Sequence, residues 1–146
     1  MSPPEQLARI QVELEEAHRR AHEIVAPLKN EGWGARAAPD QWSVAECLIH
    51  LNMTSRAFLP LIKDAIGRGR DRELFRGTPY RMDFVGRLLW LAATLLDLGK
   101  LRIVSPFDPR IKYNLYSCLR LIPAHQRLHL RQAEQVVHKV RTTRAG

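Results

Sequence analysis

Three observations predict an all-α protein, a four-helix bundle. Four segments carry apolar residues at the three- and four-residue spacing of a helix, or are apolar on most sides at helical length. No segment has the pattern of a strand, and no stretch repeats another. The four segments, near residues 5–29, 43–66, 83–98 and 112–141, are joined by loops short enough to pack them side by side. At 146 residues, 45% hydrophobic and 26% charged, the chain suits one domain over 1–146 with a real core.

Pro3 and Pro4 stand where a helix can begin, and Glu5 favours the positive end of its dipole. Leu7, Ile10, Leu14, Ala17, Ala21, Ile24 and Leu28 then form one apolar stripe, which should end near Lys29, ahead of Gly32 and Gly34. His18 and His22 flank that stripe among Arg19, Arg20 and Glu23. They read as flank residues and not as the ligands of choice, with His22 nearer the core and able to line a pocket.

Residues 33–42, WGARAAPDQW, read as a loop that delivers a strong helix start. Ser43 and Glu46 make a capping box, in which the hydroxyl accepts from the Glu46 amide and the carboxylate reaches back. Trp42 precedes the cap, with Cys47 at the position where a hydrophobic staple would close. Val44, Cys47, Leu51, Ser55, Phe58 and Ile62 are the expected inward stripe of this helix, and His50, one turn beyond Cys47, can reach the same interior. Pro60 falls inside the pattern and should kink the helix.

After a polar connection over 67–80, Asp83 to Leu98 is apolar on most sides, which predicts a buried helix closed by Gly99. Residues 105–109, SPFDP, should form a rigid loop into the last helix. That helix has the stripe Leu115, Cys118, Ile122, His125, His129, Gln132, Val136 and Val140, whose middle is two histidines. His125 and His129 leave one face a turn apart, and the face points to the core. Pro123 should kink the helix just ahead of them. A buried polar group without a partner costs roughly 1–3 kcal/mol. Either a hydrogen bond for each ring or one shared metal ion would remove that cost. An HxxxH pair alone does not choose between the two, so the question is whether a third ligand exists.

The net charge of +8 is lopsided: residues 1–50 carry 5 basic and 8 acidic groups, and residues 51–146 carry 18 and 7. The basic residues are scattered and mostly Arg, with no aromatic interleaving, so a solvated surface is expected rather than a nucleic-acid interface. The N-terminal residues lack a basic start followed by an apolar run, so no secretory signal is expected. The longest apolar run, 88–96, is too short to span a bilayer. Two cysteines, Cys47 and Cys118, fit core positions in a reducing compartment, which points to the cytoplasm. No P-loop, dinucleotide fingerprint or serine-nucleophile elbow occurs.

Residues 39–52, PDQWSVAECLIHLN, and 124–136, AHQRLHLRQAEQV, together resemble the DinB-like superfamily of metal-binding four-helix bundles. The resemblance covers most of the chain in order. It implies that a histidine on the second helix and the HxxxH pair on the last one bind a single divalent metal. Position by position these are His50, His125 and His129. Trp42, Ser43, Glu46 and Gln132 match the family's WSxxE start and its trailing glutamine, and Glu46 and Gln132 become candidates to hold the ligands from behind. The chain departs from relatives with a similar SPFDP segment in lacking a longer insertion before it, which implies a shortened third helix. Three histidines with open positions suit zinc or nickel, and iron(II) too. The implied activity is that of a hydrolase or thiol S-transferase acting on a small molecule, with a low-molecular-weight thiol as co-substrate, and no side chain stands out as catalytic general base. The alternatives are a metal-binding or stress-related protein without turnover and, on charge alone, a nucleic-acid binder. Were the apolar third helix exposed, a homodimer would be needed to complete the core.

Overall fold

The computed structural model describes residues 1–72, 79–95, 111 and 114–145. All regular structure there is helical: α1 (Pro3–Val25), α2 (Asn30–Trp33), α3 (Val44–Asp71), α4 (Phe84–Leu95) and α5 (Leu115–Ala145). The four expected helices form, and a single-turn α2 appears in addition inside the first loop. None of the described helices is long and apolar enough to cross a membrane.

Three boundaries differ from the sequence reading. α1 stops at Val25 rather than near Lys29, because Pro27 has no N–H with which to continue the ladder. α3 runs five residues past Ile66, through Gly67 and Gly69. The Arg68 guanidinium pairs there with Asp64 one turn back, and basic residues occupy the last turn. α5 starts at Leu115 rather than near 112, where Asn114 Oδ1 accepts from the Ser117 amide at 2.8 Å. Pro60 and Pro123 both lie within continuous helices. Residues 96–110, which include the end expected for the third helix and the SPFDP loop, lie outside the described residues.

α5 is the hub, since α1, α3 and α4 each pack against it. It is therefore buried on more than the one stripe expected: Leu128, Leu130 and Ala133 are buried beside His129 and Val136. The core joins Ala17 and Ile24 of α1, Val44, Cys47 and Leu51 of α3, and Leu130, Ala133 and Val136 of α5. Leu7, expected in the α1 stripe, is instead exposed one turn before the core begins. α1 is also tied to α5 by charge. Glu13 accepts from Arg120 and from Arg127, each at 2.9 Å, and Arg20 pairs with Glu134.

α4 is not buried on all sides as its composition predicts. Phe84 is 80% exposed and Leu88 58%, and only one face meets α5. On that face the two helices come closest at Gly86. A Cβ on Gly86 would lie 2.2 Å from Cβ of Ser117, so the two backbones meet there and the opposite face of α4 turns away. Asp83 locks this joint: its carboxylate accepts from the Gly86 amide (2.8 Å), from the Ser117 hydroxyl (3.1 Å) and from the Asn114 amide.

Candidate metal centre

The Ser43–Glu46 capping box fixes the start of α3. Ser43 Oγ accepts from the Glu46 amide at 3.3 Å, and Glu46 accepts from the Ser43 amide at 2.8 Å. Val44 and Cys47, both fully buried, then seat the first turn on α5. That seating sets the rotation of α3 and brings His50, one turn later, toward the histidine face of α5. Thr54 adds a bond from its hydroxyl to the His50 carbonyl at 2.8 Å.

The third ring arrives where the pair needs it. Nε2 of His125 lies 3.2 Å from Nε2 of His50 and 3.1 Å from Nε2 of His129. One nitrogen from each of the three residues falls within 4.8 Å of the other two. Tetrahedral ligation at bonds of about 2.0–2.1 Å separates nitrogens by about 3.3 Å, and cis positions of an octahedron by about 3.0 Å. The observed spacing sits between these values, so it suits a divalent ion and selects neither zinc nor nickel.

The protonation chemistry agrees with a cation at the centre of the three rings. His129 Nδ1 is 2.7 Å from Gln132 Oε1, an acceptor only, so Nδ1 carries the proton and Nε2 keeps its lone pair. Burial pushes His125 down to about 3, with the His129 and His50 rings adding to the effect. Burial and His50 lower His129 to about 4, against a smaller opposing pull from Gln132. Desolvation lowers His50 as well. All three are held neutral, the form that ligates metal. Neutral rings with converging ring nitrogens can share protons among themselves or share one cation, and one cation can accept all three Nε2 lone pairs at once.

Trp42 closes one side of the site. Its indole stacks on His129 at 5.5 Å between ring centroids, 17° from parallel, and tilts over His50 at 5.0 Å. It remains 43% exposed, so its outer face meets solvent beside the imidazoles. In the sequence Trp42 stands out as a staple for the helix start and as the first residue of the WSxxE motif, not as a lid on the histidines. The signal for its second role was its place directly before the cap of the helix that carries His50.

The other sequence-predicted residues separate from these. Gln132 stands behind His129, with its Oε1 2.7 Å from Nδ1. The Glu46 carboxylate is engaged at the helix cap and by Arg36. His18 and His22 lie on the exposed side of α1, and His138 is exposed near the end of α5. Cys47 and Cys118 are free, buried thiols whose pKa burial raises to about 11, which suits packing rather than reactivity. Among the described residues no carboxylate joins the three histidines.

Compared with known protein families, residues 13–133 match the DinB superfamily, a span that holds all three histidines, Trp42 and Gln132. No curated protein and no solved structure matches the chain significantly.

Proposed function

This chain belongs to the DinB superfamily, and from that premise we propose that it is a metal-dependent enzyme, a hydrolase or thiol S-transferase. His50, His125 and His129 are the ligands of one divalent ion, zinc or nickel, with iron(II) also compatible with imidazole. The observation that carries the reading is the convergence of the three Nε2 atoms at 3.1 and 3.2 Å. Such an ion supplies Lewis acidity, which makes a water or a low-molecular-weight thiol nucleophilic near neutral pH. The chain's own residues do the rest. Gln132 holds the proton of His129 on Nδ1, and Trp42 fixes two ring planes and narrows the approach to the site. Burial keeps the imidazoles unprotonated. The substrate is a small electrophilic molecule.

Thiol transfer is the better-supported branch. A thiol loses its proton to solvent more readily than water does, and among the described residues no carboxylate joins the rings to serve as a general base for hydrolysis. The same lack supports a second reading, a metal-binding protein without turnover. Assaying metal-loaded protein with low-molecular-weight thiols plus electrophiles, and separately with hydrolysable esters and amides, distinguishes them. Thiol consumption that disappears in His125→Ala supports the transferase. Bound metal with no turnover in either assay supports the second reading.

A further inference from the structure

The α1 helix carries a second pair of histidines that the proposed function does not use. His18 and His22 lie one turn apart on the exposed face, in a shallow groove bounded by Leu14, Glu15, Arg19 and Glu23. Exposed imidazoles are free to diverge into water. These converge instead, Nε2 to Nε2 at 3.1 Å, with ring centroids 4.5 Å apart and planes at 77°. The separation equals that of His125 and His129.

We propose that His18 and His22 form a second divalent-metal site, a two-imidazole chelate on the surface of α1. Their i, i+4 spacing puts both donors on one side of a helix that exists without the ion, so no ordering cost falls on the backbone at binding. The local field favours a cation. Glu15 and Glu23 line the groove, and the neighbouring guanidiniums are engaged by carboxylates, Arg19 by Glu16 and Glu23 and Arg20 by Glu134 of α5. Glu15, three residues before His18, stands on the same face and accepts a bond from Gln11 at 2.8 Å. Two imidazoles with the remaining positions left to water suit late first-row ions, with affinity rising from iron(II) through nickel to copper(II). The site is separate from the buried one and stands or falls without it.

The test is a zinc(II) titration of the full chain near neutral pH, following the histidine side chains by NMR. Zinc is diamagnetic, so each ring reports its own saturation. His138, a single exposed imidazole on α5, is the internal reference. The His18 and His22 signals are expected to move together, with a midpoint at least about tenfold below that of His138, because the second donor is already in place. In His22→Gln the His18 response should fall back to that of His138, while His50, His125 and His129 respond as before. Both positions are exposed, so the variant keeps its fold. His18 and His22 tracking His138 in the unaltered protein would overturn the proposal. A response at His18 and His22 with none at the buried histidines would uphold it and refute the proposed function instead.

Discussion

Gln132 Oε1 accepts from Nδ1 of His129 at 2.7 Å, so a residue three positions along the same helix decides which nitrogen of a buried imidazole keeps its lone pair. The consequence is measurable. Gln132→Leu removes the acceptor and frees the ring to rotate or change tautomer, and zinc affinity is expected to fall about 10–100-fold. Gln132→Glu keeps an acceptor and should bind at least as tightly as Gln. Competition with a chromophoric chelator reads both. Equal affinity in Gln132→Leu would mean that the contact does not orient the ligand.

Burial holds His125 at about 3 and His129 at about 4, and lowers His50. In the unfolded chain the same rings titrate near about 6.5. Between those values the unfolded state binds more protons, so stability of the metal-free protein rises with pH. It is fully present above about 6.5 and is lost as pH falls toward the folded values. Urea midpoints of metal-free protein should therefore drop between about pH 7.5 and about 5.5, a window above carboxylate titration. His125→Ala should flatten the dependence. A midpoint unchanged across that window would contradict the burial of the rings.

Two glycines should respond in opposite senses to alanine. At Gly86 an added Cβ would sit 2.2 Å from both Cβ and Oγ of the buried Ser117, and the α4–α5 joint must open. Gly86→Ala is expected to destabilise by about 1–3 kcal/mol. Gly67 lies inside α3 with nothing within 4 Å of its added Cβ, so Gly67→Ala should stabilise by about 0.5–1 kcal/mol. Chemical denaturation measures both. A neutral Gly86→Ala would mean that the two helices do not touch there.

The four long helices and the HxxxH pair were legible because each rests on periodicity along one segment, whereas the single-turn α2 was not. The capping box at Ser43 and Glu46 was legible for the same reason, being local. What the sequence hid depends on how segments meet. Leu128 and Leu130 are buried because α5 is packed against three helices rather than one. α4 looked like a core helix from its composition, yet Gly86 brings it close to α5 on one face and leaves Phe84 exposed on the other. Pro27 ended α1 early although the apolar spacing continued to Leu28, since a missing N–H outweighs a periodic pattern. The approach of His50 to the HxxxH pair was expected from its place beside the inward stripe of its helix and from the family resemblance. The rotation of α3 that produces it is set by Val44 and Cys47 against α5.

The proposed centre is three imidazoles sharing one ion. X-ray absorption on protein loaded with less than one equivalent of zinc tests this most directly, because the tightest site fills first. The expected spectrum has three imidazole nitrogens at about 2.0–2.1 Å, with water or another light atom completing the shell. In His125→Ala that spectrum should vanish, whereas His138→Ala should leave it intact. Two imidazoles or fewer in the unaltered protein, or the same spectrum in His125→Ala, would contradict the site formed by His50, His125 and His129.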